Sequence, residues 1–343
     1  MHNLETILPE GSWFRRWLGI WPTAEPPKTY LLASAMNMLG GCLGRSIHFD
    51  LDYAKLWPML NVLLIGPSGI GKTTSIQLGV RLVRSLPTAE TPQIIGGAPT
   101  VERLHFVDLK ANSQAIMLAS ELANFFPKAK YMEGLIPYVT ELLDYEPIEK
   151  RSRVGDIVRI DKPTVTLIGG STAAWLQEQL PNSAVTGGFL ARFLIVVEEH
   201  KGQKVALPGM VLGKGEKTSL EKEREGVFRE FRELLRIHFG PIGFRDYEAA
   251  DVFCDWYNDY RPLTGLLAPF AERAREFILR ISMLLAISCK RSFILKEDVR
   301  AAISLYELST RKLQDIVVPL SIDGKLLSSV LQVLGKGEVE EKQ

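Results

Sequence analysis

Eight consecutive residues constrain this chain more than any other feature: Gly66-Pro67-Ser68-Gly69-Ile70-Gly71-Lys72-Thr73. An apolar run precedes them, Met59-Leu60 and Val62–Ile65, interrupted only by Asn61. Thr74–Arg84 follows and reads as a helix. Such a run predicts a central parallel strand, here Asn61–Ile65, covered on both faces. Glycines at 66, 69 and 71 permit backbone angles closed to other residues, so consecutive N–H groups can turn inward around an anion. The next helix adds the positive end of its dipole. Strand, GxxxxGK[ST] and helix in this order describe a phosphate-binding loop. Lys72 is expected to reach the β- and γ-phosphates of ATP, and the Thr73 hydroxyl to complete a Mg²⁺ shell. Gly66, Pro67, Ser68, Gly69, Ile70, Gly71 and Thr74 would supply the rest of the binding surface.

Hydrolysis also needs a carboxylate to orient water, normally at the end of a second strand. Ala115–Ala119 is a short apolar strand pattern that runs into Ser120-Glu121. Leu135–Glu141 ends in a carboxylate as well, but Pro137 would interrupt a central strand's ladder. Glu121 is therefore the preferred base. Ser120 stands where an Asp usually supports Mg²⁺ through water. Thr164–Ile168 is a further strand that leads through Gly169-Gly170 into Ser171-Thr172. Either hydroxyl could sense the γ-phosphate, or simply cap the helix expected over Ala173–Leu180. Arg192 lies among apolar neighbours between Gly187-Gly188 and a strand over Phe193–Val197. A cation so placed needs an anion: phosphate in a neighbouring subunit's site, or a carboxylate of its own chain.

Strand patterns alternating with helical ones predict an α/β layer with a mostly parallel sheet. Residues 1–27, rich in Trp and Pro, read as an arm or short helix that packs on the rest, and Thr29–Leu43 as a buried helix ending at Gly40-Gly41. Arg45–Leu51 alternates like a strand. Lys201–Lys222 lacks periodicity and reads as a linker, residues 223–334 as helices only, and Gly335–Gln343 as a frayed tail. Across 343 residues the net charge is +1, which excludes a broadly basic coat for nucleic acid or membrane. No apolar run has the ~18 residues of a membrane span. Met-His-Asn-Leu-Glu has no secretion-signal character, and Cys42, Cys254 and Cys289 lack metal-ligand spacing. A cytoplasmic protein is expected.

The pieces "LLDYEP", "KPTVTLIGGST" and "GGFLARF" resemble motifs of phage and prophage P-loop proteins, a likeness that runs from about Tyr30 to Glu199. More distantly, the layout is similar to superfamily 3 and minichromosome-maintenance helicases of the AAA+ class. That resemblance implies a P-loop NTPase core over residues 28–200 and a C-terminal helical lid over 223–334. It implies that Ala191-Arg192-Phe193 matches their arginine-finger segment. It makes Arg273 the lid's sensor arginine, with Arg275 second, in Arg273-Ala274-Arg275-Glu276. Glu297-Asp298-Val299 and Ala302-Ile303-Ser304-Leu305 match the lid's end.

These helicases carry a hairpin that points a basic residue into the ring's channel. Here it falls on 150–160, where residues alternate on both sides of a Val-Gly-Asp turn. Lys150, Arg151, Arg153 and Arg159 outnumber Glu149 and Asp156 and would meet DNA phosphates; the bland reading is a solvated hairpin. The implied assembly is a homo-oligomeric ring, a hexamer, that hydrolyses ATP at subunit interfaces and translocates on single-stranded DNA. Primase, loader or polymerase functions would then belong to partners. A nucleotide-gated switch or scaffold without helicase activity is the alternative, and a monomeric P-loop kinase a more remote one.

Overall fold

The computed structural model describes residues 4–126, 134–152, 155–179, 184, 188–260 and 264–317. The expected Arg153 and the tail at 335–343 lie outside the described residues. The described strands are β1 (Ile47–Asp50), β2 (Lys55–Leu56), β3 (Val62–Ile65), β4 (Gln93–Gly96) and β5 (Gln114–Ala119). They continue with β6 (Ile148–Arg151), β7 (Ile157–Ile160), β8 (Thr164–Ser171), β9 (Leu194–Val197) and β10 (Gly240–Pro241).

Five of them form one sheet in the order β4-β5-β8-β3-β9, with every pair parallel. The fold is α/β. β3 and β8 are buried along their whole length, which is why both read as apolar or small-residue runs without alternation. β3 lies between β8 and β9, yet the chain leaves it for the far edge at β4 before working back. In a parallel sheet that reversal of strand order leaves a crevice outside the carboxyl ends of the strands.

Several sequence readings change in the folded chain. The helix Lys28–Leu43 runs through Gly40-Gly41 and stops at Gly44, whose φ is +53°. Those two glycines are packing sites. A Cβ on Gly41 would lie 2.7 Å from Thr166 Oγ1 and 2.9 Å from Ile116 Cγ1, so its absence lets the helix rest on β5 and β8. Leu135–Glu141, weighed above as a strand, lies in a helix spanning Leu135–Leu142, with Pro137 in the first turn where no amide partner is lost.

The segment read as an arm or short packing helix does hold such a helix, Trp13–Gly19, with Trp13, Phe14 and Trp17 fully buried. The Trp13 indole donates to Val227 O and the Trp17 indole to Leu31 O, so both polar edges are satisfied as burial requires. The segment read as a linker is partly helical: a helix over Lys214–Leu234 begins inside it, carrying Leu220, Val227, Phe231 and Leu234 inward from an otherwise charged surface. Its apolar positions are too sparse among Lys and Glu to signal a helix in isolation. One apolar core joins these N-terminal aromatics, one face of the sheet and the C-terminal helices Ala274–Ser288 and Lys296–Thr310. The second core, on the other face, gathers Leu104, Phe125, Tyr138, Leu176 and Phe189. Among the described residues no helix is long and apolar enough to cross a membrane.

Candidate functional site

The Gly66–Gly71 loop joins the carboxyl end of β3 to a helix over Lys72–Arg84. Gly69 and Gly71 have φ of +79° and +104°, a region that L side chains rarely adopt. Gly66 sits between the two strands flanking β3. Its amide donates to Ser171 O at 3.2 Å, while the Glu198 amide donates to Ile65 O. The buried Tyr30 hydroxyl donates to Ile65 O at 2.6 Å, and burial pushes its pKa upward. A Cβ on Gly66 would lie 2.7 Å from that hydroxyl, and one on Gly71 would lie 2.6 Å from Pro26 Cγ. The loop is held by close approach as well as by its own angles.

The Lys72 ammonium donates to Gly66 O at 2.6 Å and Pro67 O at 2.7 Å. Burial lowers its pKa, and the nearby Glu121 carboxylate works against that shift. Pro67, Ser68, Gly69, Thr73 and Thr74 are exposed, and Ile70 is buried beneath them. The site thus combines an ammonium, the amino end of a helix of 13 residues and two exposed threonine hydroxyls. That donor set suits a chain of phosphates.

Glu121 follows the end of β5 and is exposed; it caps the short helix Leu122–Phe125 without a side-chain cap bond and accepts from Asn124 at 3.4 Å. The rival Glu141 pairs with Lys150 on a helix away from any strand end. Ser171 is the last residue of β8, and its hydroxyl donates to Thr172 O. Thr172 Oγ1 accepts from the Trp175 amide at 3.2 Å, so Thr172 is the helix cap of the two.

Gly170 is the residue that the sequence reading passed over. A Cβ there would stand 2.8 Å from Ser120 O and 3.4 Å from Lys72 Cβ. Glycine at 170 lets the lysine stem and the Ser120-Glu121 turn meet across β8. Its signal was the Gly169-Gly170 pair inside a strand pattern, which marks close backbone approach.

The arginines lie at the other end of the sheet. Arg192 precedes β9, whose Leu194 is in register with Val62 at the start of β3. Four residues of extended chain separate that level from Gly66, a span of ~13 Å. Arg192 forms a fork on Asp144: Nε to Oδ1 at 2.8 Å and Nη2 to Oδ2 at 2.6 Å. Its Nη1 donates to Gly188 O at 2.8 Å. Of the two anions weighed for Arg192, the single chain supplies the carboxylate of its own chain.

Arg273 points at the same carboxylate, 3.6 Å from Asp144 Oδ1, and lies 3.8 Å from Glu276. Burial lowers its pKa, and the Arg192 charge lowers it further. Arg280 completes the group, donating to Met59 O at 2.6 Å and pairing with Glu276 at 3.4 Å. Arg275, the second choice for a sensor, instead donates to Tyr53 Oη.

β6 and β7 form the expected antiparallel hairpin, with Glu149 opposite Arg159 and Arg151 opposite Ile157. Gly155, at φ +101°, turns the chain while Ser152 accepts from Gly155 and Asp156. Side chains alternate across it. Arg151 and Arg159 are on the exposed face, Arg159 paired with Asp161 at 2.7 Å. Lys150 faces inward, 4.8 Å from the Tyr138 ring centre and 3.6 Å from Glu141. These contacts tie the hairpin to the helix Leu135–Leu142 and set Lys150 apart from the exposed Arg151 and Arg159. His105, also missed, accepts from or donates to Tyr138 Oη at 2.8 Å and binds Val158 O at 2.8 Å. A carbonyl can only accept, so Nε2 carries the proton.

Among the described residues no three His, Cys, Asp or Glu side chains gather as a metal site. A magnesium ion that rides on phosphates needs no such cage, and the exposed Thr73 hydroxyl in the first turn of the helix fits that mode. No protein-family model matches the chain, and no curated protein matches it.

Proposed function

We propose that the chain is an ATP hydrolase with a P-loop, AAA+-like core and a helical lid, which assembles into a ring of six and moves along single-stranded DNA as a helicase of phage replication type. One observation carries this reading: the phosphate-type loop and the Arg192–Arg273 pair occupy opposite ends of one parallel sheet. An arginine side chain cannot span that separation within one chain, so a site using both must form between copies.

In such a site the Gly66–Gly71 amides and Lys72 hold the β- and γ-phosphates. Thr73 would hold Mg²⁺, which when bound neutralises charge on the phosphate oxygens. Glu121 orients the attacking water and takes its proton, with Ser171 at the adjacent strand end. Arg192 and Arg273 arrive from the next copy and stabilise the charge on the transferring phosphoryl group. An arginine in that role contributes ~10³–10⁵ in rate. The resemblance makes Arg273 the lid's sensor arginine, reporting nucleotide state. Its place beside Arg192 favours service to the neighbour. Arg151 and Arg159, on the hairpin's exposed face at the arginine end, suit a channel lined once per subunit.

Mixing tests the shared site. Lys72→Ala and Arg192→Ala chains, each inactive alone, should restore hydrolysis together, because mixed interfaces pair an intact loop with an intact arginine. No restored activity at any ratio would refute a site between copies. The alternative, a nucleotide-gated switch without translocation, shares the site but predicts hydrolysis that single-stranded DNA does not stimulate.

A further inference from the structure

We propose that Asp144 is an internal stand-in for phosphate. It holds Arg192 and Arg273 as a two-arginine receptor, which exchanges the carboxylate for the terminal phosphate of a nucleotide bound to a second copy of this chain. The inference rests on the reading above, and it adds the residue that governs when the arginines are available.

Four observations point to this exchange. First, the Arg192–Asp144 fork uses two parallel N–H···O bonds, the geometry by which arginine takes either a carboxylate or a phosphate. Second, the fork must open for any outside anion to be reached. The Arg192 side chain is only 12% exposed and Arg273 28%, while Asp144 is 39% exposed. Third, charge around the cleft is unbalanced. Arg192, Arg273 and Arg280 face Asp144 and Glu276, and the Arg273 pKa is lowered first by burial and then by the Arg192 charge. An arriving anion is therefore favoured over the carboxylate's departure being left uncompensated.

Fourth, the carboxylate stands on a held corner, and Arg192 lies against a glycine turn. Asp144 precedes Tyr145, which is buried at φ +65°, and the Tyr145 carbonyl accepts from Arg45. Asn61, Arg280 and Trp57 surround the Tyr145 ring. Arg192 instead follows Gly188 at φ +75°, where a Cβ would come within 3.1 Å of Nη1. Asp144 also meets groups from three separate parts of the chain: its own corner, the turn before β9 and the start of the helix Ala274–Ser288. Departure of Asp144 from both arginines would remove one tie at the start of that helix, whose apolar face and Arg280–Met59 O bond keep it on the sheet.

The test is hydrolysis per chain against chain concentration, for the full chain with ATP and Mg²⁺. Only a fraction of wild-type arginines is competent while Asp144 competes, and the apparent affinity between copies is reduced by that fraction. Asp144→Asn keeps the shape and removes the charge. It should lower the concentration of half-maximal hydrolysis by about tenfold, with the maximal rate kept. Adding Arg192→Ala to it should abolish hydrolysis. Gly188→Ala presses on Nη1, loosens the same fork without touching Asp144, and should shift the midpoint the same way if Asp144→Asn fails to fold. An unchanged midpoint in both variants overturns the proposal, as does a lower maximal rate at an unchanged midpoint, which would make Asp144 a structural staple. Loss of single-stranded DNA affinity with an unchanged midpoint also overturns it, assigning the arginines to DNA. If wild-type hydrolysis per chain is independent of concentration, the shared site itself fails, and this proposal with it.

Discussion

Replacing Gly170 by Ala adds one carbon at the point where three parts of the site converge. The new Cβ would stand 2.8 Å from the Ser120 carbonyl oxygen and 3.4 Å from Lys72 Cβ. The first distance is shorter than real Cβ contacts allow, and its partner is backbone, so the end of β5 must move by a few tenths of an ångström. Overpacking of this kind costs about 1–3 kcal/mol. Losing glycine's freedom in the unfolded chain returns roughly 0.5–1 kcal/mol. Gly96→Ala is the matched control, on edge strand β4 of the same sheet, where the nearest atom to a Cβ is Leu118 O at 3.7 Å. It gains the same entropy with no collision. The two variants should therefore differ by about 1–3 kcal/mol, or ~1.5–4 °C in Tm for a chain of this length. Calorimetry reads that difference. The movement also displaces Ser120-Glu121 relative to Lys72; a 1 Å misplacement can cost ~10² in rate, so a few tenths should cost about a few-fold. Gly170→Ala should therefore lose about a few-fold in ATP hydrolysis beyond its loss of folded protein, while Gly96→Ala keeps it. Equal melting and equal hydrolysis in the two would refute the role assigned to Gly170.

The hairpin supplies a second test. Arg151→Ala with Arg159→Ala should weaken single-stranded DNA binding and flatten its log–log salt dependence by about 1.4 units of slope, with basal hydrolysis unchanged. Salt lines parallel to the wild type would leave the hairpin a solvated surface. His105 makes stability depend on pH. Burial, the largest influence, holds its pKa below 6.5, so the native state binds fewer protons than the unfolded chain in the window just below that value. Stability is therefore full above 6.5 and falls as pH drops through the lowered pKa. His105→Phe should show a shallower fall in urea midpoints between about pH 7 and 5. His48, also lowered by burial, keeps some slope in the variant. Identical profiles would show that His105 does not titrate in that window.

How much of this was legible in the linear chain depends on how local the cause is. The strand before Gly66 and the helix after Lys72 were readable because apolar continuity and glycine spacing act over a few residues. Gln114–Ala119, running into Ser120-Glu121, was readable for the same reason. Leu135–Glu141 was not, because a short apolar run suits a strand or a buried helix equally, and burial against Leu104, Phe125 and Leu176 decides between them. Gly40-Gly41 looked like a helix end, while the reason for glycine lay across space in Thr166 and Ile116. Lys150 and Arg151 look alike in sequence. Strand alternation sends one toward Tyr138 and Glu141 and the other to solvent.

The sequence by itself determined the glycine-rich loop between β3 and its helix and the α/β class, since both follow from periodicity and from backbone angles that only glycine adopts readily. Tertiary structure alone decided the company that the arginines keep. Arg192, Arg273 and Asp144 are far apart along the chain, and no local propensity says which carboxylate will answer a half-buried cation. The parallel sheet settles that question, because it carries the Lys72 loop to one end of its strands and this charged cluster to the other.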